Sequence, residues 1–255
     1  MKTMQIVPLS AFRDNYIWAL VANGAAVVVD PGEAAPVQRF LADQALRLAA
    51  ILITHRHNDH IGGVAELNAD GNVPVFGPPS IACVTQPVQD ADRFTLPGVA
   101  AEISVLAVPG HTEEHLAYLL GEHLFCGDTL FAGGCGRLLG SSSAAELYAS
   151  LQRLAHLPPQ TRVHCAHEYT LSNLRFALQV EPDNAALQAR LAACSALREA
   201  NQPSLPSLLA DELASNPFLR VDQAAVRSAV SRYTGKVLAA PDEVFAALRR
   251  WKDVA

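Results

Sequence analysis

The apolar and polar positions of this chain follow one pattern up to about Tyr169 and a different one after it. Before that residue, short apolar runs such as residues 25–29 and 48–53 end in turn-forming residues, which predicts buried strands. Asn23-Gly24 lies between two such runs and predicts a hairpin turn. After Tyr169, apolar residues recur at helical spacing and prolines separate the segments, which predicts a run of helices.

The predicted elements form two series of strands, each with helices interspersed. The predicted strands are residues 5–9, 16–21, 25–29, 48–53, 73–76, 101–108, 116–120, 123–126 and 162–165. The predicted helices are residues 34–43, 63–69, 143–156, 170–180, 184–200, 207–214, 222–233 and 242–252. This order predicts an α+β fold in which two sheets pack face to face with helices outside. No strand pattern returns after Tyr169, so we expect one domain at residues 1–171 and an all-helical domain at residues 172–255.

Composition narrows the classes of function. The chain has 255 residues, half of them apolar, and a net charge of −6 without a long basic run. This balance is unfavourable for nucleic acid as a partner. No apolar stretch approaches the roughly 18 residues of a membrane helix, and the first residues lack the apolar core of a signal peptide. We therefore expect no membrane association.

The five cysteines are scattered, odd in number and without paired spacing. Secreted proteins that depend on disulfides show regular, even-numbered cysteine patterns. The pattern here therefore predicts reduced thiols and a cytoplasmic location.

The most informative stretch is residues 54–63, which read T-H-R-H-N-D-H-I-G-G directly after a predicted strand. Residues two apart on a chain leaving a strand face the same way, so His55 and His57 are placed to bind one ion. Asp59 and His60 are adjacent and point elsewhere, towards a second ion. Imidazole and carboxylate ligands suit zinc, iron or manganese. A polar loop with chance histidines is the alternative interpretation, and four ligand-type residues within six positions argue against it.

Three further candidates, His111, Asp128 and His167, also follow predicted strands. A sheet can bring all seven groups to one edge, and seven exceeds what one ion uses. Two ions about 3.5–4 Å apart would share a hydroxide whose pKa falls from 15.7 to about 7. The residues therefore predict metal-dependent hydrolysis.

These motifs carry a family resemblance. The T-H-x-H-x-D-H stretch, followed in order by P-G-H-T, G-D-T-L-F and H-E-Y-T, resembles the metallo-β-lactamase superfamily. Residues 12–16 (F-R-D-N-Y), 133–137 (G-G-C-G-R), 216–220 (N-P-F-L-R) and 249–253 (R-R-W-K-D) narrow the resemblance to the hydroxyacylglutathione hydrolases, or glyoxalase II. The resemblance implies an αββα sandwich with a C-terminal helical substrate-binding domain. It also implies hydrolysis of S-D-lactoylglutathione to D-lactate and glutathione, the second step of methylglyoxal detoxification.

The resemblance assigns roles to individual residues. The first ion would be held by His55, His57 and His111, the second by Asp59, His60 and His167, with Asp128 between them. The nucleophile would be a metal-bridging hydroxide held by Asp128 and oriented near Asp59. Glutathione would be contacted by Arg137, Tyr169, Arg249 and Lys252. The implied cofactor is two divalent ions, zinc first and iron or manganese as alternatives, and we expect a monomer.

The chain departs from the family pattern near the substrate residues. Arg137 stands where a lysine is common, which keeps the charge but alters the geometry of contact. Leu139 stands where a tyrosine is frequent, so one polar contact to glutathione is missing. His115 is interpreted either as support for a ligand or as an ordinary histidine, and the basic end of the chain either as a substrate contact or as a solvated helix end.

Three rival functions remain open from the sequence. A persulfide dioxygenase of the same fold would use a single iron and lack the terminal basic helix. A lactonase or β-lactamase would leave the helical domain unexplained. A non-catalytic binding protein would not need all seven ligand positions filled.

Overall fold

A computed structural model describes residues 4–139 and 142–255, and the chain divides into two compact units. The first unit comprises Met1–Ala107 and Glu114–Gly127. The second comprises Val108–Glu113 and Asp128–Ala255. The division therefore assigns the short segment that carries His111 to the second unit.

The first sheet of the first unit has six strands in sequence order. They are β1 (Gln5–Ala11), β2 (Asn15–Ala22), β3 (Ala25–Val29), β4 (Arg47–Leu52), β5 (Val75–Gly77) and β6 (Gln86–Pro87). The first two pairings are antiparallel and the remaining three are parallel. Helix α1 (Ala34–Asp43) follows β3, and the single-turn helices α2 (Asn58–Ile61) and α3 (Val64–Leu67) follow β4.

The hydrophobic pattern explains this sheet. Every residue of β3 is buried, as expected for a strand covered on both faces, and the last four residues of β4 are buried as well. Asn23 and Gly24 both have positive φ, 51° and 72°, which is the conformation of a two-residue type I′ turn. The predicted hairpin is therefore confirmed.

A second group of strands in the first unit is antiparallel throughout. It comprises β7 (Arg93–Thr95), β8 (Glu102–Ala107), β9 (Leu116–Leu120) and β10 (His123–Gly127), paired in that order. The buried Tyr118 of β9 donates a hydrogen bond of 2.6 Å from its hydroxyl to the carbonyl of Ile53. Burial raises the pKa of this phenol well above its ordinary value. The link fixes the strand end that precedes His55.

The second unit is mostly helical. Its helices are α4 (Ala144–Ala155), α5 (Thr170–Val180), α6 (Ala185–Glu199), α7 (Leu209–Ser215), a 3₁₀ turn at Pro217–Leu219, α8 (Ala224–Thr234) and α9 (Pro241–Val254). Its strands are β11 (Leu130–Phe131), β12 (Gly134–Cys135), β13 (Arg162–Cys165) and β14 (Ser207–Leu208). Ser143 caps α4, since its Oγ accepts from the Glu146 amide at 3.1 Å.

The short helix predicted at residues 63–69 is present as the single turn α3, whereas the single turn α2, which carries Asp59 and His60, was not predicted. One prediction about the elements was wrong. The segment predicted as a helix at residues 207–214 begins as β14, which pairs with β13. A strand of two residues is too short to show alternation, so the expectation that no strand returns after Tyr169 failed.

Among the described residues, no helix is both long and apolar enough to span a membrane.

Candidate metal centre

The candidate ligands of the first unit lie in one loop after β4, and we call His55, His57, Asp59 and His60 the loop ligands. The loop is fixed at its start by the buried carboxylate of Asp30, which follows β3. Asp30 accepts from the Thr54 amide at 2.8 Å and from the Thr54 hydroxyl at 2.7 Å. A buried carboxylate with several hydrogen bonds is stable in a low-dielectric interior and holds its donors in place.

His55 and His57 present ring nitrogens to each other. His55 Nε2 lies 2.9 Å from His57 Nδ1, and His55 Nδ1 lies 3.0 Å from the hydroxyl of Thr54. Nitrogens that bind one tetrahedral zinc at about 2.0–2.1 Å lie about 3.3 Å apart, a distance close to the one observed. The ring of His115 stacks on that of His55 at 4.6 Å, and its Nδ1 donates to the carbonyl of Leu116. His115 is thus placed to support a ligand.

Asp59 and His60 occupy the first turn that follows. His60 is fully buried, and its Nδ1 lies 3.0 Å from Asp30 Oδ2. His60 Nε2 lies 3.6 Å from Asp59 Oδ2, which also accepts from the side-chain amide of Asn15 at 3.1 Å. Asp30 therefore anchors both the start of the loop and one of its ligands.

The candidate ligands of the second unit come from three separate segments, and we call His111, Asp128 and His167 the dispersed ligands. All three are buried. Asp128 Oδ2 lies 3.5 Å from His111 Nε2, and Asp128 Oδ1 lies 3.4 Å from His167 Nε2. Each oxygen of one carboxylate thus faces a different imidazole, an arrangement suited to a carboxylate that bridges two ions.

The orientation of His111 is set by backbone. Its Nδ1 donates a 2.8 Å hydrogen bond to the carbonyl of Arg137, which leaves Nε2 as the nitrogen directed at Asp128. Gly136 allows this close approach, because a Cβ there would collide with the Asp128 carbonyl and lie 3.1 Å from the His111 Cβ. A histidine ligand whose second nitrogen donates to a carbonyl or carboxylate is typical of metal sites.

The predicted substrate residues differ in exposure. Tyr169 is 36% exposed, and its ring stacks on that of His167 at 4.6 Å. Arg137 is exposed, with its Nε 3.9 Å from an oxygen of Asp253. Lys252 lies over the ring of Phe176, with Nζ 5.1 Å from its centre. Burial, and then the charges of Arg249 and Arg137, lower the pKa of Lys252 from its ordinary value.

Arg249 differs from these three because only 3% of it is exposed. Its Nη1 donates to the carbonyl of Cys135 at 2.9 Å, and its Nη2 donates to Asp253 at 3.0 Å. The guanidinium also lies over the ring of Phe218 at 5.2 Å. The sequence placed Arg249 at a basic helix end, and its burial was not predicted.

Sequence reasoning also missed the groups that hold the ligands. Asp30, Thr54 and Asn15 were assigned no role in the site, although Asp30 contacts both His60 and the backbone before His55. The sequence Asp30-Pro31-Gly32 is typical of a turn, and an aspartate in a turn is not expected to be buried. Asp30 has a positive φ of 53° and is buried.

Comparison with known proteins is consistent with this donor set. Residues 12–167 match the family described as the metallo-beta-lactamase superfamily, and residues 168–255 match the hydroxyacylglutathione hydrolase C-terminus. A hydroxyacylglutathione hydrolase of Alkalilimnicola ehrlichii is 54% identical over 253 residues, which are 98% of each chain. The His and Asp residues are candidates for holding divalent metal.

Two solved structures show the fold. The crystal structure of ETHE1 from Myxococcus xanthus aligns with a TM-score of 0.66 over 99% of both chains at 24% identity. A protein named TTHA1623, in a di-iron-bound form, aligns with a TM-score of 0.54 at 30% identity, over 64% of this chain and 91% of its own. The predicted fold class, two sheets with helices and a C-terminal helical region, is therefore confirmed.

Proposed function

The chain belongs to the hydroxyacylglutathione hydrolases of the metallo-β-lactamase superfamily, and on that premise we propose that it cleaves S-D-lactoylglutathione to D-lactate and glutathione. It is a hydrolase whose relatives are similar along the whole chain. The observation that carries the proposal is a pair of ligand groups, each held by a buried second layer of hydrogen bonds. Such layers are typical of metal sites that do chemistry.

We propose that the loop ligands and the dispersed ligands together hold two divalent ions. His55, His57 and His111 would bind one, and Asp59, His60 and His167 the other, with Asp128 shared. The donor set fits this use, because Asp30 engages Nδ1 of His60 and the Arg137 carbonyl engages Nδ1 of His111. In each ring Nε2 is then the ligand nitrogen. The family and the imidazole and carboxylate donors favour zinc, with iron or manganese as alternatives.

Two such ions, when bound, supply Lewis acidity towards a carbonyl and lower the pKa of water to about 7. The protein's own contribution is orientation. Asp128 and Asp59 bring negative charge to the site, and Asp59 is directed by Asn15. The leaving thiol has an ordinary pKa of about 8.5 and departs as a thiolate. No side chain is therefore required as a general acid, unlike amide hydrolysis.

We propose that Arg137, Tyr169 and Lys252 bind the glutathione part of the substrate. Glutathione is anionic, and two of these side chains are cationic, in a chain whose net charge is −6. Tyr169 stacks on the ligand His167 and is partly exposed, so it offers both a hydroxyl and a ring face beside the site. The direct contact predicted for Arg249 stays a prediction, as does the role of residues 172–255 as a substrate-binding domain.

We also propose a cytoplasmic location, supported by five free cysteines, four of them buried. Burial raises the pKa of the Cys135 thiol to about 11 and that of Cys165 to about 12, so neither is a reactive thiolate at neutral pH. The predicted monomeric state stays a prediction.

The proposed function is tested by assaying hydrolysis of S-D-lactoylglutathione before and after chelation, and again after zinc, iron or manganese is returned. We expect turnover that is lost on chelation and restored by metal. A preparation that consumes oxygen with glutathione persulfide but leaves the thioester intact would contradict the proposal and favour the rival dioxygenase.

A further inference from the structure

The segment Phe131–Gly136 is held residue by residue by side chains from the helices that follow Tyr169. Asn216 Nδ2 donates to the carbonyls of Phe131 and Gly134 at 3.2 and 2.9 Å. Asn173 Nδ2 donates to the Ala132 carbonyl at 3.1 Å, and Glu212 accepts from the Gly133 amide at 2.9 Å. Arg249 completes the series at Cys135 and, at 3.5 Å, at Gly136. We call Asn173, Glu212, Asn216 and Arg249 the clamp residues.

All four clamp residues are at least nine-tenths buried, and two of them are charged. A buried charge is costly unless it is paired and hydrogen-bonded. Glu212 meets this cost through an ion pair with Arg190, and Arg249 through Asp253. Apolar side chains in the same space would leave these backbone groups without partners, so the clamp ties the backbone shape of the segment to the helices.

The imposed shape matters because of what lies at either end of the segment. Asp128 precedes it closely, and Arg137 follows it with the carbonyl that accepts from His111 Nδ1. The segment's own pairing is short, since β11 and β12 share only two residue pairs. Beyond that pairing, the Gly136 amide donates to the Thr129 carbonyl at 3.1 Å, and the clamp residues hold the carbonyls on either side of it. The clamp residue nearest to that carbonyl is Arg249, through Cys135 and Gly136.

We infer that Arg249 is a positioning residue for the ligand His111. By holding the Cys135 and Gly136 carbonyls, it directs the Arg137 carbonyl to His111 Nδ1 and so presents Nε2 to the metal. The ring of Phe218 and the carboxylate of Asp253 keep the guanidinium in one orientation. This inference rests on the proposed function, in which His111 is a metal ligand. It gives Arg249 a role that needs no contact with substrate.

The two roles of Arg249 predict different kinetics. A substrate contact remote from the cleaved bond supports uniform binding, so its loss raises KM and leaves kcat and metal affinity unchanged. A residue that orients a ligand through its second layer changes metal affinity, and kcat with it. A merely structural residue would lower the stability of the metal-free protein while the folded fraction kept its metal affinity.

The experiment compares Arg249→Met, Arg249→Lys and the control Arg250→Met, since Arg250 is the exposed neighbour on the same helix. Metal-free proteins are titrated with cobalt(II) and with zinc against a competing chelator, and urea unfolding is followed separately. We expect Arg249→Met to weaken one ion about ten- to a hundredfold and to lower kcat similarly. Arg249→Lys keeps the charge and one donor, so it should recover part of the loss. Arg250→Met should match the wild type.

Wild-type metal affinity and kcat in Arg249→Met, with only KM raised, would overturn the inference and leave the proposed function standing. Lost stability with unchanged metal affinity would overturn it as well. If Arg249→Met does not fold, Arg249→Lys decides: weaker binding of one ion supports the inference, and wild-type binding of both overturns it. A wild type that binds no metal would overturn the proposed function and this inference together.

Discussion

The two groups of candidate ligands are built by opposite means. The four loop ligands lie within six consecutive positions after one strand, and a single buried carboxylate, Asp30, holds the loop at two points. The dispersed ligands come from three segments, and a chain of backbone and side-chain hydrogen bonds from the helices sets the orientation of His111. The loop ligands are therefore held by residues of the first unit, an arrangement that we call the local device, while the dispersed ligands also depend on the C-terminal helices.

This difference determines where mutations should act. Damage to the loop ligands should come from the loop itself and from Asp30 and Asn15, which hold it, and damage to the dispersed ligands also from the C-terminal helices. If both proposals hold, the helical part of the second unit contributes to the metal site as well as to substrate binding.

Asp128→Ala removes the residue whose two oxygens face His111 and His167. Without this charge between them, two cations would repel each other more strongly, so we expect metal content to fall towards one ion per chain or less. Turnover should fall by about a thousandfold, which corresponds to several kcal/mol of transition-state stabilisation. Elemental analysis and steady-state kinetics check both, with the exposed Asp70→Ala as control. Two tightly held ions and a near-normal rate in Asp128→Ala would refute the shared role.

Asp30→Ala tests the local device. It leaves the Thr54 amide and hydroxyl without their buried acceptor and removes the partner of His60 Nδ1. We expect the free energy of unfolding to fall by about 2–4 kcal/mol and metal affinity by about ten- to a hundredfold. Urea unfolding of the metal-free protein and chelator competition measure these separately, with the exposed Asp43→Ala as control. Unchanged affinity in the folded variant would show that the loop holds its shape without Asp30.

Lys252→Met tests the proposed substrate contact. Loss of one partly exposed cation should raise KM about three- to thirtyfold with little change in kcat. The exposed Lys236→Met is the matched control. An unchanged KM would show that Lys252 does not contact the substrate and would favour the interpretation of a solvated helix end.

The same residue predicts a pH dependence with a definite sign. The pKa of Lys252 is lowered, chiefly by burial, so its charge is present at lower pH and is lost as pH rises through that lowered value. Attraction for an anionic substrate therefore weakens in the alkaline range, below the ordinary pKa of a lysine. KM of the wild type should rise there, and the rise should be reduced in Lys252→Met. A parallel rise in both proteins would assign the effect to another group.

Leu139→Tyr is expected to have the smallest effect. Leu139 is 44% exposed, so a tyrosine fits without disturbing the core. One added hydrogen bond to substrate should lower KM by at most about tenfold, since it is worth about 0.5–1.5 kcal/mol net. If KM stays unchanged or rises in kinetic assays, the side chain at residue 139 does not face the substrate.

The same contrast explains what could be predicted from the sequence. The sequence predicted the strands around residues 25–29 and 48–53 and also the loop ligands. In both cases the signals, which are apolar runs, turn residues and ligand-type residues, occur within a few positions. The dispersed ligands were assigned by resemblance, since each is a single residue after a strand. The sequence did not predict the burial of Arg249 or the inward orientation of the Asp30 carboxylate, because both depend on tertiary contacts.

The proposed pair of ions is tested by measuring metal stoichiometry and thioester turnover on one preparation while metal is added back to the metal-free protein. If the loop ligands and dispersed ligands hold two ions together, elemental analysis should reach two per chain. Hydrolysis of S-D-lactoylglutathione should then reach its maximum only as the second ion binds. Full turnover with one ion per chain, or turnover without metal, would contradict the account.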